Sequence, residues 1–237
     1  HFKSLCNKAI ATINLPYTST IFRNFSRKSS IIPPINKIIS NVMNQLLNPL
    51  RKQLRLKRKR LSPYEQKKAE QQVLNRLRYL PQFKSAQKVG LYLHAFGEVH
   101  TRKIIQFCFQ KNKQVYLPTI CNMNQNLVWV KISSNQYLNK RFSKHPLGMK
   151  EPMATRGQHV STLDLLIMPL LACDQLGTRI GMGGGFYDRT LATAPHHPFR
   201  LGLAHSFQYI NEPLFRQKWD QPIDGLLTPQ NFYYFKR

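Results

Sequence analysis

The run Arg179-Ile180-Gly181-Met182-Gly183-Gly184-Gly185-Phe186-Tyr187-Asp188-Arg189 sets a glycine cluster between a cation and a carboxylate. Glycine has no Cβ, so it reaches positive φ and leaves its amide uncovered. Successive uncovered amides form a concavity that binds anions. A helix starting after Gly185 adds its positive end. The Arg179 guanidinium can hold phosphate oxygens through two parallel donors, and the Asp188 carboxylate can hold Mg²⁺ beside them. A glycine-rich turn serving only close packing is the plainer alternative, and the flanking charges favour phosphate binding over it. Two common phosphate motifs do not fit. Phe186 stands where G-x-G-x-x-G needs its last glycine, and no Gly-Lys-Ser/Thr is present.

The elements that must position this loop follow from hydrophobic spacing. Asn48 and Pro49 suggest the start of a basic helix running to about Arg60. Ser62-Pro63-Tyr64-Glu65 is a capping box opening a helix with Ala69, Val73, Leu77 and Leu80 on one face. Strands are expected at 88–93, at 114–117 closed by Pro118, at 127–132, 164–168, 201–204 and 223–227, with helices from Thr101 and over 185–192. Strands alternating with helices predict an α/β fold, a layered α/β/α single domain with a largely parallel sheet and the basic helix at its N-terminal side. Active sites of such sheets gather at the carboxyl ends of the strands.

The 237 residues carry 36 Lys and Arg against 10 Asp and Glu, a net charge of +26. No apolar run is long enough to span a membrane as a helix. Cys6, Cys108, Cys121 and Cys173 form neither a C-x-x-C pair nor a zinc spacing, so reduced thiols and a cytoplasmic location are expected. Residues 1–42 contain no acid and end near Pro33 and Pro34. They are expected to be a disordered or non-native N-terminal extension fused by a misplaced start; an organelle transit peptide is the alternative. The folded domain is then 43–237.

Several motifs together resemble one family. Asp164 to Pro169 reads D-x-L-I-x-P, and Asp174 to Arg189 reads D-x-x-G-x-R-I-G-x-G-G-G-F-Y-D-R. Both are similar to the signature of the 5-formyltetrahydrofolate cyclo-ligases, also called 5,10-methenyltetrahydrofolate synthetases. Gly97-Glu98-Val99-His100-Thr101 resembles that family's G-E-x-D-T, with His100 in place of the common aspartate. Val115 to Pro118, Gly148 to Pro152, Gly202 to His205 and Ile223-Asp224 match further short motifs.

The resemblance implies an enzyme that uses ATP and Mg²⁺ to convert 5-formyltetrahydrofolate to 5,10-methenyltetrahydrofolate, releasing ADP and phosphate. It implies that Arg179, Ile180, Gly181, Met182, Gly183, Gly184, Gly185, Phe186 and Tyr187 cradle ATP, with Arg179, Tyr187 and Asp188 as the catalytic group. Asp188 would bind Mg²⁺, and Asp224 matches a second metal-linked carboxylate. Met182 to Phe186 would also touch the folate, Glu98 would bond the pterin's N–H edge, and Leu93 would line that pocket. The family's N-terminal basic pair falls on Leu47 and Arg51, or one turn later on Arg51 and Arg55; a spacing of four puts both charges on one helical face. Small molecules are then the expected partners of a monomer, with no membrane involved. Trp129 is read as core, and His94 and His205 as satisfied core or rim histidines. Two other readings compete: nucleic-acid binding through residues 51–60, with seven Lys and Arg in ten, and a generic ATP or sugar-phosphate enzyme. A pterin pocket needs Glu98 and the aromatic pair; a sugar phosphate needs neither.

Overall fold

The computed structural model describes residues 35–121, 123–153 and 156–236, with side chains described from Leu47 onward. The chain falls into two compact units, 1–44 and 45–237. Residues 1–34 of the expected extension lie outside the described residues. Residues 35–42 of it are helical. Helix α1 runs over Ile35–Lys59 with Pro49 inside it, rather than starting at Pro49. The missed signal is a spacing of three and four through Ile35, Ile38, Ile39, Val42 and Leu46. Proline removes one helical hydrogen bond at position 49. Packing offsets that loss, because Leu47, Leu50 and Leu54 seat α1 on Leu171, Ala172 and Ile180.

Helix α2, Pro63–Leu77, begins at the expected box: Ser62 Oγ accepts from the Glu65 amide, and Glu65 reaches back to the Ser62 amide. A short helix α3 (Pro81–Ser85) leads into β1 (Lys88–Gly90). Then come α4 (Arg102–Gln110), β2 (Gln114–Ile120), β3 (Leu127–Ile132) and α5 (Ser134–Leu138). A hairpin of β4 (Phe142–Lys144) and β5 (Lys150–Pro152) precedes β6 (Leu165–Pro169). Next are β7 (Ala172–Asp174), β8 (Arg179–Ile180) and α6 (Phe186–Ala192). The chain closes with β9 (Phe199–Leu203), β10 (Tyr209–Ile210), β11 (Gly225–Leu227) and β12 (Phe232–Tyr234).

The main sheet has the order β12-β11-β9-β6-β1-β2-β3. Its five inner strands β11, β9, β6, β1 and β2 are parallel, and β12 and β3 join antiparallel at the edges. In the central strand β6, alternate residues serve opposite faces. Leu165 and Ile167 pack with Val73, Leu77, Ile104 and Ile105 of α2 and α4. Leu166 and Met168 pack with Leu163, Leu191 and Ala194 on the α6 side. Burial on both faces is why this strand reads as one unbroken apolar run. The expected α/β/α layering with a largely parallel sheet is therefore observed.

Two strand ends differ from expectation for local reasons. Strand β2 continues through Pro118, which faces Trp129 of β3. Trp129 exchanges both main-chain bonds with Gln158 on its other side, so β3 asks for no N–H from position 118. Strand β1 stops at Gly90, before the apolar run ends. Leu91 still donates to the Tyr116 carbonyl, and the chain then leaves the sheet toward the site described below. Asp164 fixes β1 beside β6, its Oδ2 accepting from the Gln87 and Lys88 amides at 2.8 and 2.7 Å. Among the described residues no helix is long and apolar enough to cross a membrane.

Candidate functional site

The glycine loop leaves the small sheet of β10, β7 and β8 and enters α6. Gly183 and Gly185 adopt φ of +107° and +66°, in the region that favours glycine. A Cβ at Gly183 would meet nothing within 4 Å, so this stretch of main chain borders open space. Met182, Gly183 and Gly184 are exposed. Among the described residues, no protein acceptor is in place for the main-chain amides of 181–185. The loop is a bare row of donors.

Cations surround it. Arg179, whose side chain is 3% exposed, places Nη2 2.6 Å from Asp188 Oδ1, and that oxygen also accepts from the Gln221 amide at 3.0 Å. From α1, Arg55 Nη2 donates to the Met182 carbonyl at 3.1 Å, and Arg51 Nη1 donates to Asn48 Oδ1 at 3.2 Å. Burial lowers the pKa of Arg51, and the like charge of Arg55 adds to this; the negative charge of Asp220 acts the other way. The Asp220 carboxyl is itself pushed up, first by burial and then by the like charge of Asp188, against a hydrogen bond from the Gln217 amide. The Nε atoms of Arg51, Arg55, Arg58 and Arg179 are buried without a partner among the described residues. A polyanion seated on the exposed loop would meet the bare amides of 181–185, with the guanidinium groups of Arg55 and Arg179 beside them. The residues present therefore fit a nucleotide phosphate chain. For a divalent cation, Asp188 and Asp220 supply two carboxylates that sense one another. One or two carboxylates plus phosphate oxygens is a usual Mg²⁺ set.

Asp224, the second carboxylate expected at the metal, follows three residues after Gln221, whose amide donates to Asp188. It sits at the amino end of β11, and its Oδ2 accepts from the Arg200 amide at 2.7 Å.

Glu98 enters the same site from the loop after β1. Its Oε2 accepts from the Ala95 amide at 3.0 Å, and its Oε1 lies 3.9 Å from Arg58 Nη1. Burial raises its carboxyl to about 7, and the Ala95 amide and Arg58 only partly oppose that rise. Tyr187, stacked under the Arg179 guanidinium at 5.7 Å, has its hydroxyl pKa raised by burial and then by the Glu98 charge. Glu98, Tyr187 and Arg179 thus share one environment, which brings the expected folate carboxylate to the expected nucleotide loop. Gly97 holds the turn at φ +75°, where a Cβ would stand 2.8 Å from the Arg58 carbonyl. Gly97→Ala is expected to destabilise the protein by about 2 kcal/mol or more through strain and displacement of the end of α1. Urea unfolding at pH 8 checks this.

Leu93 lines a neighbouring cleft of about 480 Å³ with Arg102, Tyr137, Lys140, Phe142 and Lys150. Phe186 packs beside the loop, its ring under Arg189 at 5.1 Å. Ile180 is buried beneath it against Leu54. Trp129 is fully buried in the core, as expected. His205 is buried with Nε2 3.1 Å from the Gly97 carbonyl, and burial lowers its pKa to about 4; His94 meets Thr101 Oγ1 at 3.4 Å. The residues that sequence spacing missed are Arg58, hidden within a run of similar charges, and Asp220, which no motif marks.

These features accord with what the chain is similar to. The family model described as 5-formyltetrahydrofolate cyclo-ligase matches residues 45–229. The 5-formyltetrahydrofolate cyclo-ligase of Escherichia coli K12 is 33% identical over 184 residues, 76% of this chain and 98% of that one. That of Haemophilus influenzae is 34% identical over 184 residues, 76% of this chain and 95% of its own. The solution structure of Aquifex aeolicus 5,10-methenyltetrahydrofolate synthetase superposes with a TM-score of 0.69 at 30% identity, covering 81% of this chain and 94% of that one. The chain belongs to the 5-formyltetrahydrofolate cyclo-ligase family.

Proposed function

We propose that this enzyme closes 5-formyltetrahydrofolate to 5,10-methenyltetrahydrofolate at the expense of ATP. The observation that carries the reading is the row of bare amides at 181–185 beside Arg179 and Asp188, with Glu98 in the same environment through Tyr187. The formyl group on nitrogen 5 is an amide and a poor electrophile. Transfer of the γ-phosphoryl group to its oxygen yields ADP and an iminium phosphate. Nitrogen 10 attacks the activated carbon and loses its proton to solvent, and phosphate departs with the former formyl oxygen. Such a reaction asks the protein for positioning and charge neutralisation more than for covalent chemistry.

Each residue then has a task. The loop amides and the guanidinium groups of Arg51, Arg55 and Arg179 hold the phosphate oxygens. Ile180 is buried under the loop and supports it. Asp188, whose charge is felt by Asp220, would hold Mg²⁺, and the ion would supply neutralisation of phosphate charge. Asp188 also pairs with Arg179, which holds both groups beside the loop. Glu98 accepts the pterin's amino and ring N–H groups, and Met182, Phe186 and Tyr187 offer apolar surface to the flat ring. The cleft beside Leu93 offers Arg102, Lys140 and Lys150 to the acidic end of the folate. Cys108, Cys121 and Cys173 are unpaired among the described residues, in keeping with a reducing compartment such as the cytoplasm.

The test is direct. The full chain with 5-formyltetrahydrofolate, ATP and Mg²⁺ is expected to develop the near-ultraviolet absorbance of the methenyl product, and omission of ATP is expected to abolish it. An unchanged folate in the complete mixture overturns the reading. Arg55→Ala is expected to raise the KM for ATP about tenfold, with kcat and folate KM little changed, since it removes one charge-assisted bond to phosphate.

A further inference from the structure

The buried cation Arg58 touches both halves of the site. It lies on α1, seven residues after Arg51 and three after Arg55, and is 1% exposed. Its Nη1 reaches the Leu170 carbonyl at 3.4 Å, at the carboxyl end of β6. The same nitrogen lies 3.9 Å from Glu98 Oε1. Its Nη2 lies 3.7 Å from Met182 Sδ in the glycine loop. Its own carbonyl is the atom that a side chain at position 97 would strike. One guanidinium therefore joins the helix that carries Arg51 and Arg55, the end of the central strand β6, the glycine loop and the turn that carries Glu98.

We propose that Arg58 is a positioning residue: a buried strut that holds the Glu98 carboxylate in place for the pterin and fixes its distance from the Met182 wall of the nucleotide loop. This rests on the folate reading of Glu98 given above. The charge balance explains why a cation is needed there. Glu98 is desolvated, and the Tyr92 and Tyr187 hydroxyls that feel its charge cannot neutralise it. The Ala95 amide and Arg58 are the groups that favour its ionised form. His205, which also lies near Arg58, is kept neutral by burial. A neutral donor could not hold both Glu98 and the loop. A lysine could supply the charge but not two diverging donors.

The test is the pH profile of kcat/KM for the folate in wild type, Arg58→Met and Arg58→Lys, which reports groups of the free enzyme. In Arg58→Met the acidic limb is expected to move up by about one unit or more, because a cation beside a carboxylate favours ionisation. Folate KM at pH 7 is expected to rise at least about tenfold and to recover in part at pH 9. Arg58→Lys is expected to keep the limb near its original pH while still raising folate KM. A double-mutant cycle gives a second readout. Once Glu98 is replaced by glutamine, Arg58→Met is expected to have little further effect on folate KM. An unmoved limb in Arg58→Met, or additive effects in the cycle, overturns the strut and leaves Arg58 as a packing residue. If Arg58→Met does not fold, the cycle of Arg58→Lys with Glu98→Gln decides the matter: loss of the lysine effect on folate KM in the Glu98→Gln background is expected, and additive effects overturn the strut. Wild-type turnover of the folate, measured beside the variants, separates failure of this inference from failure of the functional reading.

Discussion

Asp188→Ala is expected to lower kcat by about a thousandfold, equivalent to about 4 kcal/mol of lost transition-state stabilisation. Folate binding is expected to change by no more than a few-fold, since Glu98 and the cleft beside Leu93 are untouched. Two effects combine in this variant. The carboxylate that would hold Mg²⁺ is gone, and Arg179, with a side chain only 3% exposed, loses the partner 2.6 Å away. An uncompensated buried cation destabilises the fold as well as the reaction. Asp188→Asn separates the two, because its amide oxygen can still accept from the Gln221 N–H that Asp188 now binds. That variant is expected to retain more of the thermal stability while staying about as inactive as the alanine form. Steady-state kinetics and thermal unfolding on the same preparations check both statements. Near-normal kcat in either variant contradicts the assigned role.

Glu98→Gln is expected to make the protein more stable and the enzyme worse. Glu98 in the folded protein titrates near 7, well above an ordinary carboxyl, chiefly because it is buried. An acid whose pKa is raised by folding binds its proton more tightly in the native than in the unfolded state. The native protein then loses stability as pH climbs from about 4.5 to about 7, and the cost is fully present above that range. A rise of this size corresponds to about 3 kcal/mol. Glutamine mimics the protonated carboxyl and carries no such penalty. Its variant is expected to be more stable than wild type by up to about 3 kcal/mol at pH 8 and indistinguishable from it near pH 4.5. Folate KM is expected to rise about a hundredfold at pH 8, because an amide offers one acceptor and a misplaced donor to two pterin N–H groups. Denaturant melts at the two pH values and folate saturation curves measure the two halves of this exchange. The wild-type enzyme itself is expected to lose folate affinity as pH falls through 7, because the carboxylate takes up its proton. Equal stability of the two proteins at pH 8 contradicts the burial of charge at Glu98.

The glycine loop was readable because its chemistry is written in adjacent residues. Arg179, Asp188 and the glycines need no long-range contact to declare themselves, and the same holds for the Ser62–Glu65 box and for the both-face burial of β6. Glu98 was legible only through its resemblance to a family motif, since a lone carboxylate after a strand is more often a solvated surface group. Contacts between distant elements were not legible. Arg58 stood among similar charges at 51–60, and only packing of α1 against Leu171, Ala172 and Ile180 turns its side chain inward while Lys57 and Lys59 stay exposed. Asp220 lies in a loop without a motif and meets Asp188 through the fold alone. The same fold holds Asp224 against the start of β9. The small strands β7, β8, β10 and β12 are two or three residues long, too short for period-two alternation to show. Pro49 misled for the opposite reason: a residue that usually opens a helix here sits inside one, where the packing of Leu50 and Leu54 offsets the missing bond.

In the proposed function, main-chain amides at 181–185, flanked by Arg179 and Asp188, grip the phosphates of ATP. Amide hydrogen exchange on the full chain, with and without a non-hydrolysable ATP analogue and Mg²⁺, tests it most directly. Exchange is expected to slow across 180–187 and in the part of α1 bearing Arg51 and Arg55. Binding of the analogue with protection elsewhere and none across the glycine loop would contradict it.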